Sequence, residues 1–244
     1  MKGTVFQKPF EFNVEIPGES WHQGQLLKGS VAVKNHGDTP LNTTESGVAL
    51  ALGKVKKVKT READAFEILQ SVSFTDNEDS LHFEFSLPLN GPISDKTQCL
   101  YLIFGDLTAK EGHLQLSVEP SLTFKPLLDV LDIFFRFKLK ERKHNKDCVE
   151  YKFIAPDAKE FKGLETLVLK MKEADSAAID FTAIFNLANV GITDGNVAVQ
   201  KKKETRKVSL KSTDYLFQKD SPNQDAIRKI FQDLFSDVIT KQYF

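Results

Sequence analysis

The sequence is poor in the residues that would announce chemistry. Its two cysteines, Cys99 and Cys148, permit one bridge at most, which excludes a disulfide framework and a zinc site made of cysteine alone. The five histidines include one pair-like spacing, His144 four residues before Cys148. Its Lys- and Asn-rich setting reads more simply as a hairpin tip than as half a metal site, so neither metal nor cofactor is expected. No Gly-x-Ser-x-Gly elbow, Walker loop or Rossmann glycine fingerprint occurs. Scattered Ser, His and Asp leave a hydrolase with a convergent site as an alternative from another class. Leu127–Phe137, the longest apolar run, is interrupted by Asp129, Asp132 and Arg136 and is too short to span a bilayer. The first residues lack the apolar core of a signal peptide, so a cytoplasmic protein with reduced thiols is expected. A net charge of −1 gives no reason to expect a nucleic acid partner.

What the chain has in abundance is phenylalanine, 20 against one Trp and four Tyr. Phe favours strands and buries a large area with no polar atom to satisfy. The clearest strand is Leu81–Leu87, where Leu81, Phe83, Phe85 and Leu87 alternate with His82, Glu84 and Ser86. Pro88 ends its ladder and Gly91-Pro92 turns the chain. Before it, residues 4–16 read as one half-buried strand closed by Pro17-Gly18. A polar loop around Trp21 follows, then a strand through Leu27, Gly29, Val31 and Val33. Val48–Leu52 and Val55–Val58 form a third apolar stretch around Gly53, and Phe66–Phe74 a fourth. Cys99–Phe104 and Leu114–Val118 complete about seven short strands, the count and spacing of a β-sandwich.

At Pro120 the pattern changes. Pro126 suits a first helical position, and a short linker helix is expected to about Ile133, then a strand from Phe135 to Glu141. Val149–Phe153, Leu164–Met171 and Ile179–Leu187 read as strands. Turns are expected at Gly191 and Asp194-Gly195, with weaker strands at Val197–Val199 and Val208–Leu210. This half reads as another sheet or partial sandwich. At the end, Ser221, Pro222 and Gln224 form an N-terminal capping signal, and Ile227, Ile230, Phe231, Leu234, Phe235, Val238 and Ile239 keep helical spacing.

Several of these stretches resemble bacterial arrestin-like proteins, the branch named after the sporulation-control protein. The first half shows Pro17-Gly18-Glu19, then Gly29-Ser30-Val31-Ala32-Val33, then Phe85-Ser86-Leu87-Pro88 and a strand with Tyr101. The second shows Pro126 with Leu127–Ile133, Phe135-Arg136-Phe137, Glu150–Pro156 and Leu164–Met171. Phe135 stands where the family tends to have Gly, and Lys152 interrupts the acidic-aromatic strand. The resemblance implies a mainly β chain of two arrestin-like, immunoglobulin-like β-sandwich domains in tandem, with a short linker helix and a C-terminal amphipathic helix. The boundaries are 1–122, 123–220 and 221–244. It also implies a non-enzymatic adaptor or regulatory scaffold that binds other proteins through sheet edges, loops and the interdomain cleft.

Three basic clusters are candidate surfaces: 54–61, 136–146 and 201–211. Their lysines read either as the wet side and guarded edge of a strand or as an anion or partner surface. Lys54, Lys56, Lys57, Lys59, Lys201, Lys202, Lys203, Arg206 and Lys207 would supply that surface. The anion reading makes the chain a peripheral binder of phospholipid headgroups or other phosphates. The last helix has two readings as well. It caps the second sheet, or it presents Ile227, Ile230, Phe231, Leu234, Phe235 and Val238 to a partner protein or a second copy in a homodimer. Asp225, Asp233 and Asp237 against Arg228, Lys229 and Lys241 fit a membrane surface poorly.

Overall fold

A hairpin begins the chain. β1 (Lys2–Gln7) turns at Lys8-Pro9 into β2 (Phe10–Glu15), in register from Lys2 opposite Glu15 to Gln7 opposite Phe10. The single strand expected over 4–16 is therefore two, because Pro9 has no N–H for a continuing ladder. The structure is a computed structural model describing residues 1–76, 78–193, 196–217 and 221–239. The chain divides into two units, Met1–Pro120 and Ser121–Phe244.

In the first unit, β3 (Ser20–His22) and β4 (Leu26–Asn35) follow the hairpin, then β5 (Ser46–Lys54), α1 (Val55–Lys59) and β6 (Phe66–Ser73). β7 (Ser80–Ser86), β8 (Gln98–Asp106), β9 (His113–Gln115) and β10 (Ser117–Glu119) complete it. Two four-stranded sheets, β1-β2-β4-β7 and β6-β5-β8-β9, sandwich one core. Phe12, Val14, Val31, Leu81, Phe83 and Phe85 enter it from the first sheet, and Val48, Leu50, Leu100, Leu102 and Phe104 from the second. The alternation of β7 thus faces the core as the sequence indicates, and among the described residues it pairs with β4 alone, at the edge of its sheet.

Three local expectations are corrected. Trp21 lies not in a polar loop but in β3, buried and paired in parallel with Val118 of β10. Val55–Val58 winds into α1 instead of extending the sheet. The strand through Leu114 and Val118 breaks in two: the Ser94 hydroxyl donates to the Leu116 carbonyl at 2.7 Å and accepts from the Val118 N–H at 2.9 Å. One side chain thereby releases the strand from β8 and hands it to β3. Gly53 is required by a close approach, since a Cβ there would lie 2.5 Å from the Tyr101 ring.

The second unit opens with a 3-10 turn, Leu122–Phe124, that runs into α2 (Lys125–Ile133). Five antiparallel strands follow: β11 (Lys138–Asn145), β12 (Cys148–Ile154), β13 (Leu164–Ala174), β14 (Ala178–Thr193) and β15 (Asn196–Leu210), paired in that order. Then come α3 (Ser212–Tyr215), the two-residue strands β16 (Leu216–Phe217) and β17 (Ser221–Pro222), and α4 (Gln224–Ile239). The strand expected from Phe135 starts only at Lys138. Arg136 adopts a left-handed φ of 58° and the Phe137 N–H turns back to the Leu131 carbonyl, which closes the helix first. Gly191 is no turn but pairs with Ala198 inside the β14–β15 ladder, and the two weak strands expected beyond it are one. The turn expected at Asp194-Gly195 and the end of the chain from residue 240, with Lys241, lie outside the described residues.

One face of this sheet is covered by α2 and α4. Leu127, Val130 and Leu131 of α2 are buried, so the expected linker helix is part of the second unit. Phe124, at its N-terminus, meets Tyr151 of β12 edge-on at 6.4 Å. Phe235 of α4 has five ring neighbours: Phe135 at 5.1 Å, Phe161 at 5.2 Å, Phe137 at 5.4 Å, and Phe185 and Phe231 at 6.1 Å. Much of the chain's Phe excess therefore builds this core. The expected cap at Ser221 is also corrected. Ser221 is held in β17, and Asn223 caps α4 by accepting from the Ala226 N–H at 3.0 Å.

Candidate functional site

The chemistry-bearing side chains are dispersed. Among the described residues no three His, Cys, Asp or Glu side chains converge to hold a metal. At the β11–β12 hairpin end His144 stands opposite Val149 and Cys148 opposite Asn145, and the Cys148 thiol donates to the Asn145 carbonyl at 3.1 Å. Burial pushes the Cys99 and Cys148 thiols up, away from the reactive thiolate. Burial, reinforced by Glu173, pushes the Tyr215 phenol up to about 12, and its hydroxyl donates to the Ala177 carbonyl.

The first basic cluster lies at the end of β5 and on α1. Lys57 is held by Asp64 and by Glu62 at 3.7 Å; the Asp64 bond raises its pKa most. Lys56 and Lys59 share the last turn of this short helix, where positive charge complements the helix dipole, while Lys54 precedes its N-terminus as the last residue of β5. Arg61, just beyond, opens onto a cleft of about 570 Å³ lined also by Phe66, Lys110 and His113. Glu62 and Glu111 line the same cleft and balance Arg61 and Lys110, so it favours neither sign of charge. Two cations of the middle cluster are paired on β11: Lys138 meets Asp132 at 2.9 Å and Lys143 meets Glu150 at 3.2 Å.

The third cluster is placed differently, on β15, which closes the sheet of the second unit. Its register assigns each side chain to a face. Lys202, Glu204 and Arg206 stand opposite Leu187, Phe185 and Ala183, all buried, and so lie on the face that the helices cover. Lys201, Lys203 and Lys207 stand opposite Ala188, Asn186 and Thr182, on the open face. A single row of that open face crosses the whole sheet as Lys143, Glu150, Lys170, Thr182 and Lys207. Lys152 and Lys172 join the same face on β12 and β13. The cluster was expected to line one wet face; instead it charges both, because an edge strand protrudes past the helical layer. On the covered face Glu204 bonds Lys202 at 2.9 Å and Arg206 at 3.2 Å. Its pKa is lowered by Lys202 first and then by Arg206.

Of the stripe on the C-terminal helix, Ile227, Phe231, Leu234, Phe235 and Val238 are buried in their own unit and Ile230 is half-buried. Sequence reasoning saw the lysines of 54–61 and 201–211 as equivalent. What it missed was the convergence of Lys143, Lys152, Lys170 and Lys172 with the β15 lysines, which only strand order reveals.

The sequence matches no family model and no curated protein. Among solved structures it is similar to Spo0M, the sporulation control protein of Bacillus subtilis. That likeness has a TM-score of 0.57 at 14% identity and covers 95% of this chain and 99% of the other. Two further alignments, to alpha-2-macroglobulin of E. coli at TM-score 0.33 and to a DUF4785 family protein of Legionella pneumophila at 0.27, are too loose to bear on the fold. They have 11% and 12% identity, covering 83% and 84% of this chain and 14% and 48% of the others. No helix among the described residues is long and apolar enough to cross a membrane. The chain is mainly β and shares, over nearly its whole length, the fold of Spo0M.

Proposed function

We propose that the chain is a non-enzymatic adaptor or regulatory scaffold that binds other proteins through its sheet edges and loops. The observation that carries this reading is the end-to-end fold likeness to a control protein. Open sheet edges support it, since an extended segment gains main-chain hydrogen bonds by adding to one. Affinity capture from the native lysate with the whole chain tests the reading. A specific protein retained over a matched β-sandwich control is expected. Capture of nothing beyond that control, or turnover of ester, phosphate or peptide substrates by the purified chain, would overturn it.

A second reading, a peripheral surface for phosphate-bearing lipid headgroups, draws on the open face of the second unit. There Lys143, Lys152, Lys170, Lys172, Lys203 and Lys207 outnumber Glu141, Glu150 and Asp180. Co-sedimentation with anionic vesicles that weakens with salt would support it; binding indifferent to lipid charge would remove it.

A further inference from the structure

Both faces of β15 are basic at the point where its outer edge is open. We propose that this edge is a docking site for an extended acidic segment of a partner protein, which adds to the sheet as a sixth strand. The inference rests on the adaptor reading and names one surface and the chemistry of its partner.

The backbone supplies the first half of the argument. β15 pairs with β14 in unbroken register from Asn196 opposite Thr193 to Leu210 opposite Ile179. No strand among the described residues pairs with its other side. Along an antiparallel edge strand, alternate residues turn their N–H and C=O groups outward, ready to receive another strand.

Charge supplies the second half. Between 201 and 207 the strand carries Lys201, Lys202, Lys203, Arg206 and Lys207 against Glu204 alone. Glu204 is engaged by Lys202 and Arg206 on the covered face, while no ion pair among the described residues holds Lys201, Lys203 or Lys207 on the open face. The opposite edge of the same sheet contrasts with it, since Lys138 and Lys143 of β11 each hold a carboxylate. Lysines on an edge bar like strands, a second copy of β15 included, because pairing would set cation against cation. A strand of opposite charge meets no such bar.

The distribution over two faces selects the kind of partner. A membrane is planar and would meet Lys201, Lys203 and Lys207 but not Lys202 and Arg206 behind them. An added strand projects its side chains alternately to both faces and reaches both sets. The occupant is therefore an acidic peptide segment rather than a lipid surface.

The test uses the full chain and a labelled peptide of repeated Glu-Glu-Thr-Thr, whose glutamates project to both faces of an added strand, followed by fluorescence anisotropy at low salt. Binding is expected, with a loss of about tenfold or more in K203E/K207E. The same peptide with alternate amides N-methylated, and one with Lys for Glu, should fail to bind. K138E/K143E should change affinity less than about twofold. Unaltered urea midpoints would establish that these exposed substitutions leave the fold intact. Three results would each overturn the proposal: no binding of the acidic peptide, equal binding of the N-methylated form, or binding to phosphatidylserine vesicles that the peptide does not compete away. If K203E/K207E still captures the same lysate protein as wild type, this edge is not the docking site while the adaptor reading stands.

Discussion

Replacing Phe235 by Ala removes the ring around which the second unit is assembled. The residue is 5% exposed and has five ring neighbours, with Phe137 stacked on it at an interplanar angle of 7°. Truncating a core Phe costs about 3–5 kcal/mol, from lost transfer energy and the cavity left behind. A surface cleft of about 230 Å³ already touches Phe135, Phe161 and Phe235, so water can enter part of the vacated space. That places the expectation near the lower end, about 3 kcal/mol. With a urea slope of about 1.5 kcal/mol per molar, the midpoint should fall by about 2 M. The assay separates the units because the only tryptophan, Trp21, is buried in the first. Fluorescence follows that unit, whereas circular dichroism at 222 nm also follows α4. The dichroism transition should move and the fluorescence transition should not. The exposed neighbour substitution Gln232→Ala should leave both within about 0.5 kcal/mol. A shift below about 0.3 M in Phe235→Ala would refute the assignment of this helix face to its own core.

The other local assignments are open to equally direct tests. Asn223→Ala should cost about 0.5–2 kcal/mol of second-unit stability through loss of the α4 cap, with Ser221→Ala near neutral; thermal melts at 222 nm decide between them. Gly53→Ala should destabilise the first unit by about 1–3 kcal/mol, and Tyr101→Leu should relieve part of that cost, measured as a coupling energy in a double-mutant cycle. The Thr108 hydroxyl bond holds the Asp106 carboxyl below its ordinary value, aided by the Ala109 and Thr108 backbone N–H groups and opposed by burial. A depressed folded pKa contributes stability above the unfolded value, and that stability is lost as pH falls through the folded one. Asp106→Asn should therefore flatten the acid side of the Trp21 unfolding profile; an unchanged slope would count against the charge-assisted turn.

The sequence by itself determined what neighbouring residues can encode. The period of two in Leu81–Leu87 marked which face of β7 is buried, Pro88 marked where its ladder stops, and the spacing from Ile227 to Val238 marked a helix with one apolar stripe. These follow from backbone geometry, which repeats over two residues in a strand and 3.6 in a helix. Where a local signal met a tertiary pairing, the pairing won. The sequence marked Ser221 as the cap of α4, but Ser221 pairs in β17 with β16 and Asn223 caps the helix instead. Trp21 has too short a strand around it to show a period, and its ladder comes from Val118, far along the chain.

The candidate surface was legible in composition and illegible in arrangement. Lys201, Lys202, Lys203, Arg206 and Lys207 stand out as a basic run, as do Lys54, Lys56, Lys57 and Lys59. Tertiary structure sets the second group at the end of β5 and on α1, beside Asp64, and leaves the first along an open strand edge. Edge position, the face each lysine takes and the row it shares with Lys143 and Lys170 depend on strand order. Strand order is set by pairings between residues distant in sequence, and no local pattern contains it.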